Sequence, residues 1–165
     1  MRIFLAVAAV LLAGATGACT QPALPLTSST LVMHFSNGSL PPPYHFSWTI
    51  TLPPDGPGTL AYAAGYTTPA GRSFAVDPAR RAALVAAMEA AGVPTRRWRA
   101  EEPPLVGGSS SGIEVRSAGR TLVIPGALPR DDEERLAPVR AAFSDAVPEE
   151  VWRSAKAEGS KAAPR

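Results

Sequence analysis

Two early stretches alternate apolar and polar residues with a period of two. Leu31–Ser36 sets Leu31, Met33 and Phe35 against Val32, His34 and Ser36, and His45–Leu52 sets Phe46, Trp48, Ile50 and Leu52 against His45, Ser47, Thr49 and Thr51. Strands of a sheet packed on one side and wet on the other read this way. Asn37-Gly38-Ser39 and Pro41-Pro42-Pro43 join them in a loop with a stiff polyproline piece. Pro53–Gly58 then turns the chain, Thr59–Ala64 returns with Leu60 and Tyr62 inward, and Arg72–Val76 reads as a short fourth strand. At Asp77 the period changes. Asp77 is a good N-cap, Pro78 suits the first helical position, and Leu84, Ala87, Met88 and Ala91 recur at helical spacing, with Gly92 and Pro94 as the stop. The pattern predicts a main helix over 78–91.

Between Val93 and Gly112 no period survives, which predicts a long surface excursion over 94–111. Gly112–Arg116 and Arg120–Ile124 form a second hairpin across Ser117-Ala118-Gly119. Leu136, Val139 and Phe143 resume helical spacing behind acidic Asp131–Glu134, and Pro138 either starts or kinks that helix. Pro148-Glu149-Glu150 opens a final turn or two, and residues 158–165 read as a disordered tail. The order is strands, helix, strands, helix. It predicts an α+β fold: an antiparallel sheet of about four to six strands, with the main helix and C-terminal helices on one face.

Composition adds an address. The chain has 165 residues, enough for one modest core. Met1-Arg2, the apolar run Ile3–Ala13 and the small residues Gly14–Ala18 have the form of a secretory signal peptide, its apolar run too short to span a bilayer. Cys19 is the sole cysteine, so no intramolecular disulfide can form. The expected organisation is a signal peptide at 1–18, a tether at 19–30 stiffened by Pro22 and Pro25, a single domain at 31–157 and the tail. Charge excludes a class of partner: 16 basic residues against 14 acidic ones is too even for general attraction to nucleic acid.

Candidate chemistry is sparse. Gly108-Ser109-Ser110-Ser111-Gly112 has the letters of a nucleophile elbow, but a strand follows it where a helix is needed, and both histidines lie upstream. His34 and His45 fall on the outward faces of neighbouring strands, where they are expected nearly opposite each other, one ligand short of a zinc site. A hydrolase or metal-dependent enzyme would have to use Ser109–Ser111 or this His34/His45 pair. Neither completes a catalytic set, so a non-enzymatic protein without a cofactor is the expectation. Two stretches suit contact with a partner. Pro42-Pro43-Tyr44 is a stiff loop with an aromatic tip, and Arg96-Arg97-Trp98-Arg99 combines cations with an indole, as an alternative to a solvated loop whose Trp98 tucks against the core.

Thr16-Gly17-Ala18-Cys19 resembles the bacterial lipoprotein signal, in which small residues precede a cysteine that is lipidated and becomes the first mature residue. That resemblance implies an exported protein, lipid-anchored through Cys19 on the extracytoplasmic side of a bacterial membrane. Asp77–Gly92, Gly112–Ile124 and Leu136–Phe143, in that order, resemble a group of small bacterial envelope domains that includes the emfourin inhibitors of thermolysin-type metalloproteases. From that second resemblance only the fold class is carried over. Together these readings predict an envelope binding or accessory protein whose partners are the membrane, through Cys19, and another envelope protein.

Overall fold

A computed structural model describes residues 23–102 and 107–162. The signal peptide, Cys19, the first part of the tether, residues 103–106 of the excursion and residues 163–165 of the tail lie outside the described residues. Six strands form one antiparallel sheet: β1 (Thr30–Ser36), β2 (Phe46–Leu52), β3 (Gly58–Ala64), β4 (Ala70–Phe74), β5 (Ser110–Ser117) and β6 (Arg120–Ile124). Their spatial order is β4-β3-β2-β1-β5-β6. Three helices, α1 (Pro78–Ala90), α2 (Arg130–Ala146) and α3 (Glu149–Ala162), complete it. The α+β class, the antiparallel sheet and the C-terminal helices are as the pattern predicts.

The period-two alternation sets the register. Leu31, Met33 and Phe35 stand opposite Leu52, Ile50 and Trp48 on β2, and opposite Val115, Ile113 and Ser111 on β5. These residues and the apolar sides of the helices form one core, in which Leu31, Ile50, Leu52, Leu60, Ile113 and Phe143 are fully buried. The other sheet face carries Thr49, Thr51, Thr59, Glu114, Arg116 and Thr121. Among the described residues no helix packs on this largely polar face, which also carries Val32 and Val123.

Local chemistry bounds α1 at both ends. The Ala79 N–H donates to Asp77 Oδ1 at 2.8 Å. At the other end Gly92 takes φ +76°, with Val93 N–H donating to the Met88 carbonyl and Gly92 N–H to that of Glu89, both at 2.9 Å. That left-handed turn tucks Val93, fully buried, under the helix.

α2 carries Pro138 in its interior, and both Pro138 and Glu134, whose carbonyl loses its intrahelical partner, are exposed. Four features depart from the pattern. α3 extends for 14 residues, through part of the stretch expected as a tail. Its buried contacts are made by small residues, Ala155 and Gly159, which carry little periodic signal. β4 sits two residues earlier than Arg72–Val76, and β5 begins at Ser110 inside the expected excursion. The tether is also shorter. Leu26, 3% exposed, begins a 3₁₀ turn (Leu26–Ser28) against α1, and Arg81 donates to the carbonyls of Ser29 at 2.8 Å and Leu52 at 3.2 Å. Burial lowers the Arg81 pKa, and Asp55 nearby opposes it. From Leu26 onward the chain belongs to the domain.

Candidate functional site

The loop between β1 and β2 is clasped from inside. Asn37 bridges it twice: its side-chain amide donates to the Tyr44 carbonyl at 2.7 Å, and its Oδ1 accepts from the Phe46 N–H at 2.7 Å. Across the loop the His45 Nδ1–H donates to the Gly38 carbonyl at 2.7 Å. Gly38 has φ +93°, and a Cβ there would fall 2.2 Å from the Gly108 carbonyl oxygen, so only glycine fits. Tyr66, just beyond β3, closes the assembly. Its ring stacks on His45 at 4.4 Å between centroids, and its hydroxyl donates to the Leu40 carbonyl at 3.0 Å.

Beneath this loop an aromatic row continues along the sheet. Phe35 stacks on Phe46 at 5.7 Å and on Trp48 at 5.1 Å, Phe46 on Tyr62 at 6.1 Å, and Trp48 meets the Trp152 ring of α3 edge-on at 5.3 Å. These rings tie β1, β2, β3 and α3 together, so the loop stands on a rigid base.

The loop's outer surface is apolar. Leu40, Tyr44 and Tyr66 are 43%, 70% and 67% exposed, three of the four large hydrophobic residues exposed among the described residues. Tyr44 is exposed as the sequence suggests, beside exposed Pro42 and Pro43. Leu40 and Tyr66 are not singled out by the sequence, because each sits in a loop without a period. The available signal is a bulky apolar residue beside glycine or serine: Ser39-Leu40 and Gly65-Tyr66.

Arg96-Arg97-Trp98-Arg99 does not act as one unit. Trp98 is 8% exposed within the core, its indole N–H donating to the Val93 carbonyl at 3.4 Å, so its ring offers no contact surface. Arg96 lies over that ring at 5.6 Å and pairs with Asp132 of α2 at 2.7 Å. Arg97 and Arg99 remain exposed.

The two histidines do not face each other. His34 stands opposite Thr49, while the β1–β2 register carries His45 past the end of β1, where it is buried. His34 Nδ1 lies 3.0 Å from Thr49 Oγ1 and its Nε2 3.2 Å from Glu114 Oε1, on the polar sheet face. Arg116 completes that network by donating to Glu114 Oε2, and chiefly through this bond holds the Glu114 carboxyl below its ordinary pKa, with a smaller contribution from His34. No group of three metal-ligating side chains occurs among the described residues.

Ser110 and His45 do share a concavity of about 330 Å³ with Ser36, Ser39, Tyr66 and Gly108. Its lining contains no carboxylate. Ser111 is buried and Ser109 exposed.

The geometry defines a class: an α+β domain with helices on one sheet face and a pre-ordered apolar tip on one sheet end. Neither models of known protein families nor curated protein sequences match the chain.

Proposed function

We propose that this chain is an exported, lipid-anchored binding protein of the bacterial envelope, non-enzymatic, whose apolar tip meets another envelope protein. The observation that carries this reading is the polarity of the domain. The chain enters at Thr30, beside Leu52 and the Pro53–Gly58 turn, while Leu40, Tyr44 and Tyr66 lie beyond Ser36 and Ala64 at the opposite end of the strands. A strand of seven residues spans about 20 Å. A domain tethered through Cys19 therefore carries its tip on the side remote from the membrane.

Pre-ordering supports binding. Tyr66 and Tyr44 are held by the Asn37 and His45 clasps before any partner arrives, which reduces the entropy lost on association. Exposed tyrosines on a rigid frame are the residues around which protein interfaces concentrate their energy. Acyl chains on Cys19 would add about 0.8 kcal/mol of membrane affinity per buried CH₂.

In intact cells, a photo-crosslinking residue at Tyr44 is expected to capture a discrete partner that the same residue at Asp55, in the turn at the other end, does not. The Tyr66→Ala variant is expected to weaken that capture about tenfold or more, as for loss of an interface anchor. Equal capture at the two ends, or none at Tyr44, overturns the role of the tip. Mass spectrometry that finds Cys19 unmodified in the mature protein overturns the anchor.

A further inference from the structure

The two edges of the sheet are finished differently. On β4, Arg72 in the middle of the strand forms an ion pair with Glu158 of α3, and its Nε donates to Ser154 of α3 at 3.3 Å. On β6 the central residues are Thr121, Leu122 and Val123, without proline, glycine or charge, and Val123 is 58% exposed. Natural edges are usually blunted by charge, proline, bulges or a covering element. β6 is left open.

The register shows which groups point outward. Ser117 pairs with Arg120 across Ala118-Gly119, both at positive φ (+44° and +77°), a two-residue turn that closes on a hydrogen-bonded pair. Hydrogen-bonded pairs then recur every second residue, at Val115–Leu122 and Ile113–Ile124. The Ser111 N–H donating to the Gly126 carbonyl at 2.9 Å continues the same parity. The N–H and C=O of Thr121 and Val123 therefore point away from β5. Nothing among the described residues bonds them.

We propose that β6 pairs antiparallel with β6 of a second copy of this chain about a twofold axis at Leu122, making one continuous sheet. The outward groups match themselves in that register alone. Thr121 lies opposite Val123 of the second copy, and Val123 opposite its Thr121, each pair exchanging both N–H···O bonds. Exposed Val123 gains a β-branched cross-strand neighbour, and the two Leu122 side chains meet on the helix side. No like charges are opposed, because Arg120 stands across from Ile124. The surface shares no residue with the apolar tip.

Leu122 and its copy form a non-hydrogen-bonded pair with Cα atoms about 4.5 Å apart, within disulfide range. Under mild oxidation the full chain carrying Leu122→Cys is expected to give a covalent homodimer well above the wild-type level, which reports any bridging through Cys19. Thr59→Cys, on the open face away from the edge, is expected to stay at that level. Adding Thr121→Pro to Leu122→Cys removes an outward N–H and leaves the β5 ladder whole; crosslinking is expected to fall about tenfold or more. Val123→Lys gives a second route to the same loss, and thermal melts establish that each variant folds. A Leu122→Cys yield no higher than wild type, a product of heterodimeric mass, or a dimer indifferent to Thr121→Pro and Val123→Lys each overturns the proposal.

Discussion

Glu114 shows how one residue changes the character of a whole sheet face. It takes hydrogen bonds from Arg116 of the same strand and lies against His34, joining β5 to β1 on the polar face of the sheet. Its folded pKa lies below the ordinary value, chiefly through Arg116. The contribution to stability is then complete above the ordinary glutamate range, near about 4.3, and drains away as pH falls through that value toward the lowered folded pKa. The stability difference between wild type and Glu114→Gln is accordingly expected to be flat in the neutral range and to vanish in acid. Because the network faces solvent, the difference should not exceed about 1 kcal/mol. Urea titrations at a series of pH values measure it, and a difference that grows in acid would contradict the assignment.

At the scale of the element, α3 is the informative case. Its amino-terminal half is anchored by Trp152, whose indole N–H donates to the Ser144 carbonyl at 3.3 Å and whose ring meets Trp48. The other half comes close to the sheet only because Gly159 has no side chain. A Cβ there would lie 2.7 Å from Tyr62 Cδ1 and 3.1 Å from Cε1. Tyr62 is itself 8% exposed, and burial raises the pKa of its phenol. Glycine to alanine inside a helix ordinarily stabilises by about 0.5–1 kcal/mol. Here the overpacking reverses the sign, and Gly159→Ala is expected to destabilise by about 1–3 kcal/mol in chemical denaturation. A gain in stability would show that α3 can lift off the sheet without loss.

Across the whole molecule the two ends of the sheet have opposite tasks. One receives the incoming chain and grips it with Arg81, and the other holds the Tyr44–Tyr66 tip above the aromatic row. The grip is part of the fold, because Leu26 is 3% exposed and Ser29 fully buried. A chain that starts at Thr30 is thus expected to lose about 1.5–3 kcal/mol relative to one that starts at Ala23, the usual value for a buried leucine. Paired thermal melts of the two truncations decide it, and equal midpoints would mean that Leu26–Ser29 merely lies on the surface.

What the sequence by itself determined is what short-range periodicity encodes: β1, β2, β3 and β6 nearly to the residue, α1 with both of its ends, and the α+β class. Alternation and capping act within one element, so they survive without knowledge of any neighbour. The exposure of Tyr44 belongs with them, but the extended polyproline piece does not: Pro41–Tyr44 fold into a tight turn in which the Tyr44 N–H donates to the Pro41 carbonyl at 2.9 Å. Only the tertiary structure decided which side chains meet. Arg96 parted from Arg97 and Arg99 because Asp132 of α2 offered it a partner, His45 left the line of His34 because the hairpin register carried it past the end of β1, and α3 outran its pattern because Ala155 and Gly159 pack by being small. Each of those outcomes depends on contacts between residues distant along the chain, and a local pattern carries no trace of a distant partner.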